Sequence, residues 1–266
     1  MSGPLQQLVS RHFHRTADEW RDIYDRDDVY ARIYQQRRDL ILHLADALAL
    51  PERANVLEVG CGPGVISVAL ARRGYSVYAL DVAPAMLELT RKLASKSGEI
   101  VRGLLGDVRH LPFSTGAFRL VLAVGVTEWL EKLEPAIDQL ARVVAPGGHL
   151  IVTTDNRWAL YRLLDPSLNP ALDALKRLVR RTKRKARPGV YSIRQLNRAV
   201  ESSGLRIVSG QTLGFGPFSI FKCVLFSDPL AIRIHRKLQA AADRGMPLLR
   251  SAGHVYTVLA HKGLDQ

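Results

Sequence analysis

The chain has 266 residues, 47% of them hydrophobic, which suffices for one large core or a core with appendages. Two cysteines, Cys61 and Cys223, exclude a disulfide framework and a cysteine-rich zinc site, and no apolar run approaches the roughly 18 residues of a membrane span. With 38 Lys and Arg against 25 Asp and Glu, the net charge is +13, which fits nucleic acid, an anionic membrane surface or an acidic substrate without choosing among them.

Residues 1–15 are polar and lack the apolar segment of a signal peptide, so a reducing, cytoplasmic setting is the expectation. Residues 5–16 and 18–50 read as helical, with apolar positions at Ile33, Leu40, Ile41, Leu44 and Leu48. This stretch is also the most aromatic of the chain, carrying Phe13, Trp20, Tyr24, Tyr30 and Tyr34 beside His12 and His14. Such aromatics with polar tips line a binding lid or pack a helical layer onto a sheet, and the pattern leaves both open.

Residues 55–64 read Asn-Val-Leu-Glu-Val-Gly-Cys-Gly-Pro-Gly. Val56, Leu57 and Val59 form the short apolar run of a parallel strand covered on both faces. Gly60, Gly62 and Gly64 then allow a tight turn and a close backbone approach to a ligand, and a helix follows from Val65. Dinucleotide-binding turns place glycine or alanine at the sixth position of G-x-G-x-x-G, where this chain has Val65. Glu58, two residues before the first glycine, would repel a pyrophosphate and suits a cation. The pattern Glu58-x-Gly60-x-Gly62-x-Gly64 resembles the first motif of class I S-adenosylmethionine (SAM)-dependent methyltransferases.

A second strand over 76–80 ends in Asp81, about twenty residues past the turn, where a carboxylate accepts hydrogen bonds from a ribose. Pro84 opens the next helix, whose apolar face begins with Met86. A third strand over 100–105 leads to Gly106, Asp107 and Val108, and a fourth over 118–125 leads to Thr127-Glu128-Trp129. A helix over 133–144 should stop at Pro146-Gly147-Gly148 before a fifth strand over 149–154. These pieces resemble the same family in order and spacing over residues 50–155. Many relatives have histidine after the equivalent of Glu128; this chain has Trp129, which removes a frequent base candidate.

Residues 156–164 and 170–181 read as helical, the latter leading into Lys176, Arg177, Arg180, Arg181, Lys183, Arg184, Lys185 and Arg187 with no acidic residue among them. Leu172, Leu175, Leu178 and Val179 give the segment an apolar side, a pattern shared by membrane-surface helices, phosphate-binding segments and plain solvated insertions. A helix over 193–202, a strand over 204–213, an aromatic glycine loop at 214–218, a helix over 228–249 and a final strand over 254–260 complete the chain.

The resemblance implies an α/β fold: a Rossmann-like, seven-stranded, mostly parallel sheet with an antiparallel last strand and helices on both faces. It divides the chain into a helical lid at 1–50, a SAM-binding core at 51–155, a basic insertion at 156–190, and a C-terminal part at 191–266 that adds an acceptor-side cap helix. It further implies SAM as cofactor and S-adenosylhomocysteine (SAH) as product. Glu58 would face the methionine ammonium with the Gly60 and Gly62 backbone close by, Asp81 would take the ribose hydroxyls, and Cys61, Val82 and Met86 are further cofactor-binding residues. Asp107 and Val108 would hold adenine, and Gly125 and Glu128 would lie at the methionine side. The segment from His12 to Tyr24 resembles the opening of methyltransferases that act on quinones and tetrapyrroles, which implies a hydrophobic or aromatic small-molecule acceptor methylated at oxygen. Tyr24, His12 and His14 are the base candidates, with His149 a weaker one. An RNA methyltransferase or RNA-binding protein is the alternative, disfavoured by the lack of an appended RNA-binding module. Peripheral contact with an anionic membrane is the further partner expectation.

Overall fold

A computed structural model of the chain describes residues 4–172, 189–221 and 223–264. The basic run from Lys176 to Arg187, with Leu175, Leu178 and Val179, lies outside the described residues.

The centre is a seven-stranded sheet in the order β3-β2-β1-β4-β5-β9-β6. Strands β1 (Asn55–Val59), β2 (Ser76–Asp81), β3 (Val101–Leu105), β4 (Phe118–Ala123) and β5 (Val144–Asp155) pair in parallel. Strand β9 (Val255–Lys262) runs antiparallel between β5 and β6 (Leu205–Leu213). Alternation along each strand sends side chains to opposite faces. Leu57, Val59, Val121 and Leu150 pack with Ile137, Leu140 and Leu196 on one side, while Val56, Leu120, Leu122 and Ile151 pack with Ile41, Ile66 and Leu70 on the other. Helices α4 (Val65–Ala71), α5 (Pro84–Ser97) and α6 (Glu134–Val143) supply the crossovers. Burial on both faces is why these strands read as unbroken apolar runs.

Several elements differ from the sequence expectation. The helix foreseen over 18–50 is two, α2 (Ala17–Asp22) and α3 (Val29–Ala47), after a first helix α1 (Pro4–Arg15). The polar run Asp25 to Asp28 supplies no apolar stripe, and the Asp28 carboxylate caps α3 by accepting from the Ala31 amide at 2.9 Å. Gln35 closes the corner by donating to the Tyr24 carbonyl at 2.9 Å. Second, Pro146-Gly147-Gly148 does not separate helix from strand. β5 already pairs with β4 at Val144↔Phe118 and resumes at His149↔Leu120, so the intervening residues form a bulge with Gly147 at φ +71°. Third, a short hairpin, β7 (Ser219–Ile220) and β8 (Cys223–Val224), follows the aromatic glycine loop.

Beyond the core, α7 (Leu160–Leu164) is shorter than foreseen, because the Asn156 amide donates to the Ser251 and Gly253 carbonyls and holds residues 156–159 as a turn. Helix α8 (Ile193–Ser202) carries a capping box from Ser192 and Gln195. The late helix α9 (Asp228–Asp243) ends by Gly245, not at 249. It is anchored to the loop at 214–215, where the Gly214 amide donates to Gln239 at 2.9 Å and the Phe215 amide to His235 Nδ1 at 3.1 Å. Asp28→Ala should lower stability by about 1 kcal/mol, the usual cost of losing a helix cap. Thermal unfolding of the variant measures it, and an unchanged midpoint would show that α3 does not depend on this cap.

Candidate active site

The carboxyl ends of β1, β2, β4 and β5 open into a cavity of about 300 Å³, roofed by α1, α2 and α3. Its floor is the glycine turn. The Gly60 and Cys61 amides both donate to the Leu80 carbonyl, at 2.7 and 3.2 Å, which splints the turn to β2. A Cβ on Gly60 would lie 2.4 Å from Val126, so only glycine fits there. A Cβ on Gly62 would meet no protein atom within 4 Å; this glycine, at φ +54°, presents bare backbone to open space.

Three of the carboxylates that line the cavity stand at the ends of β1, β2 and β3. Glu58 is buried and accepts a hydrogen bond from the Ser67 hydroxyl on α4. Burial pushes its carboxyl up to about 8, against the pull of Ser67. Asp81 is held from both sides, accepting from the Ala83 amide at 2.9 Å and the Gly62 amide at 3.0 Å. Burial raises its carboxyl, and these amides offset part of that. Asp107 is partly buried, which raises it, but the Arg109 guanidinium at 2.7 Å outweighs burial and holds it below the usual carboxylate range. Arg109 also donates to Gln6 on α1 at 2.7 Å and so ties the roof to this end. Cys61, Val82, Met86, Val108, Gly125 and Glu128 all contribute to the wall, as do Gly60 and Gly62.

The roof carries Phe13, Trp20, Tyr24, Tyr30 and Tyr34 on the cavity wall. Of the base candidates only Tyr24 lines it; burial raises its phenol, and Arg37 opposes that shift. On α1 the residues facing the cavity are Gln6, Val9 and Phe13, one helical stripe. His12 and His14 fall off that stripe: the His12 ring packs 5.1 Å from Trp129, and His14 is exposed. His149 packs at a tilt against His261, ring centroids 4.9 Å apart, and is absent from the wall. Helix α9 contributes no side chain to the wall either.

The sequence reading missed Arg37. It is buried, its guanidinium lies 4.4 Å over the Tyr34 ring, and Nε has no hydrogen-bond partner. Burial works against its charge, but Tyr24, Tyr34 and Glu128 together hold it protonated. A Cβ on Gly125 would approach it to 3.2 Å, which places its head at the end of β4. Tyr30, Tyr34 and Arg37 follow one another at helical spacing, and that face was the available signal. The arrangement fits SAM. The side-chain-free turn at Gly62 leaves room for such a ligand, and a ribose-ready carboxylate at Asp81 and an unpaired buried guanidinium N–H at Arg37 offer it polar partners. Among the described residues no cluster of His, Cys, Asp and Glu suits a metal ion.

Glu58 gives a pH prediction. Its folded carboxyl keeps the proton up to about pH 8, whereas an unfolded glutamate releases it near 4.5. Between these values the folded state binds more protons, so stability without ligand should fall as pH rises, by at most about 1.4 kcal/mol per unit. Glu58→Gln should flatten that slope in urea unfolding measured from pH 5 to 8; an unchanged slope would refute the assignment.

The family described as "Methyltransferase domain" matches residues 57–152. A malonyl-[acyl-carrier protein] O-methyltransferase of Enterobacter lignolyticus is 36% identical over 125 residues, 46% of this chain and 48% of that protein. A probable chloroplastic tocopherol O-methyltransferase of Oryza sativa subsp. japonica is 31% identical over 192 residues, covering 66% of this chain and 50% of that protein. The chain thus spans about half the length of each relative. The crystal structure of magnesium protoporphyrin IX methyltransferase from Synechocystis PCC 6803 with bound SAH shares the fold, with a TM-score of 0.65 at 18% identity over 97% of this chain and 100% of that one. Glycine turn, strand order and cavity agree with these matches: residues 57–152 resemble the methyltransferase-domain family, and the chain shares the fold of a SAM-dependent methyltransferase.

Proposed function

We propose that the protein transfers a methyl group from SAM to an oxygen of a hydrophobic or aromatic small-molecule acceptor. The observation that carries this reading is the division of the cavity into a carboxylate-lined end on the sheet and an aromatic end under the roof. When bound, SAM supplies a methyl group already activated on a sulfonium. The chain's work is therefore to bind, orient and exclude water.

Asp81 keeps lone pairs beyond its two backbone donors and takes the ribose hydroxyls. Asp107 and the Val108 backbone hold adenine, with Val82 and Met86 packing beside them. Glu58, with the backbone from Gly60 to Gly62, serves the cationic methionine end; a cation there favours the ionised carboxylate that burial otherwise opposes. Arg37 completes this end by donating to the methionine carboxylate, next to Gly125 and Glu128. Phe13, Trp20, Tyr30 and Tyr34 form the acceptor wall and, with Tyr24, keep bulk water out.

The named relatives support oxygen as the target, one acting on a carrier-bound acceptor and one on tocopherol by their names. The eight Lys and Arg between 176 and 187 support peripheral contact with an anionic membrane, which would serve a lipophilic acceptor. Co-sedimentation with anionic liposomes tests this. Replacing Arg180, Arg181, Lys183 and Arg184 by Gln should abolish it, and absence of wild-type binding would sink it.

The cofactor assignment has its own test. SAM and SAH should raise the melting temperature, and NAD should not; the reverse pattern would overturn the assignment. Calorimetry should then separate the two ends of the ligand. Asp81→Ala should weaken both SAH and adenosine by about 1–3 kcal/mol, the cost of a lost charged hydrogen bond. Arg37→Met should weaken SAH by about 1.5–3 kcal/mol and leave adenosine unchanged. Equal losses for both ligands would remove Arg37 from the methionine carboxylate.

A further inference from the structure

Asp155, the last residue of β5, stands on the cavity wall, near enough to Tyr34 of the roof to act on its phenol. Its side chain is 12% exposed, and its carboxylate faces two groups just beyond hydrogen-bond reach: His254 Nε2 at 3.6 Å and Arg162 Nη2 at 3.7 Å. It therefore keeps free lone pairs at the aromatic end. His254 is buried behind it, immediately before β9, with its Nδ1 2.9 Å from the Gly216 carbonyl. A carbonyl cannot donate, so Nδ1 carries the hydrogen and Nε2 presents a lone pair toward Asp155. The imidazole is also stacked on Tyr161 at 4.7 Å, which fixes its plane.

We propose that Asp155 is the proton acceptor for the methyl acceptor, with His254 as the group behind it that takes the proton over. The inference rests on the reading of methyl transfer to a hydroxyl. In the reaction the acceptor oxygen loses its O–H bond and gains the methyl carbon. The C–S bond to the methyl group breaks with its electron pair going to sulfur, which leaves as the neutral thioether of SAH. The proton passes to the Asp155 carboxylate and on to Nε2 of His254. The groups facing His254 are Asp155, Arg162, Arg37, the Tyr161 ring and the Gly216 carbonyl. Burial lowers its imidazole despite Asp155, with Arg162 and Arg37 working in the same direction, so near neutral pH it is free to accept. Arg162 has a positioning role, holding Asp155 from the α7 side.

The test needs no knowledge of the natural acceptor. The full chain, with SAH binding verified by calorimetry, is titrated with 4-fluorophenol and with 4-fluoroanisole by fluorine NMR. The two probes share shape and differ in the O–H that Asp155 would receive. Wild type should bind the phenol at least tenfold more tightly, and Asp155→Asn should bring the two within twofold. In wild type the preference should fall once the pH drops below the ordinary imidazole range far enough to protonate His254, because protonated His254 then pairs with Asp155; His254→Phe, which keeps the stacking, should lose that fall. Equal binding of both probes by wild type, binding of neither, or a preference that survives Asp155→Asn would overturn the role of Asp155. A pH response that persists in His254→Phe would overturn that of His254. The wild-type measurements decide the question even if the variants fail to fold. Failure to bind SAH would take down the methyltransferase reading itself, whereas SAH binding without phenol preference takes down this inference alone.

Discussion

The hydrogen bond from the Gly62 amide to the Asp81 carboxylate joins two roles in one contact. It fixes the glycine turn against the end of the neighbouring strand, and it aims the carboxylate at the cavity. With the Gly60 and Cys61 amides on the Leu80 carbonyl, the turn becomes an extension of the β1–β2 pairing instead of a free loop. Backbone donors are what make a buried aspartate tolerable at this point. Without them its desolvation would be uncompensated, and the strand end would lose either its charge or its place.

The electrostatics of the cavity follow from the same economy of partners. Burial raises the Glu58 carboxyl, with the Asp81 charge adding to it against the pull of Ser67 and Arg37, so it retains its proton; Asp81 is also raised by burial, and backbone amides oppose that. Arg37 is the counterweight, a buried cation at the other side of the turn with one N–H left unpaired. A ligand with an ammonium and a carboxylate a few bonds apart answers both at once, whereas a simple cation or a simple anion answers one and leaves the other. That pairing discriminates against a pyrophosphate more strongly than the glycine spacing does.

The strand-and-turn part of this architecture was legible in the sequence because it is local. Val56 to Gly64 carries its strand, its turn and its carboxylate within ten residues, and Asp81 and Asp107 sit at strand ends that apolar runs announce. What failed to show was set by faces and long-range partners. His12 and His14 stand out as residue types, but the α1 stripe that meets the cavity runs through Gln6, Val9 and Phe13. Arg37 looks like any surface arginine of an amphipathic helix until α3 is laid over the end of β4. The bulge in β5 is invisible because Pro-Gly-Gly is also a good helix stop, and the pairing of Val144 with Phe118 that overrides it is a tertiary fact. Asp155 ends its strand as Asp81 does, but its partners His254 and Arg162 arrive from β9 and α7.

The extent of the family match carries one more step. It covers residues 57–152 and so contains the glycine turn, Asp81, Asp107 and Glu128. Arg37, the roof aromatics and Asp155 all lie outside it. The shared stretch is built from strand ends, whose positions the sheet fixes to within a hydrogen bond. The remainder of the wall is built from α1 to α3 and from the exit of β5, where helix faces and loop lengths change without disturbing the sheet. A fold divided in this way can keep one cofactor while its acceptor changes, because the two ends of the cavity answer to different segments of chain. On the proposed reading, the residues that would choose the acceptor are therefore to be sought among Phe13, Trp20, Tyr30, Tyr34 and Asp155, on the side of the cavity that the family match does not cover.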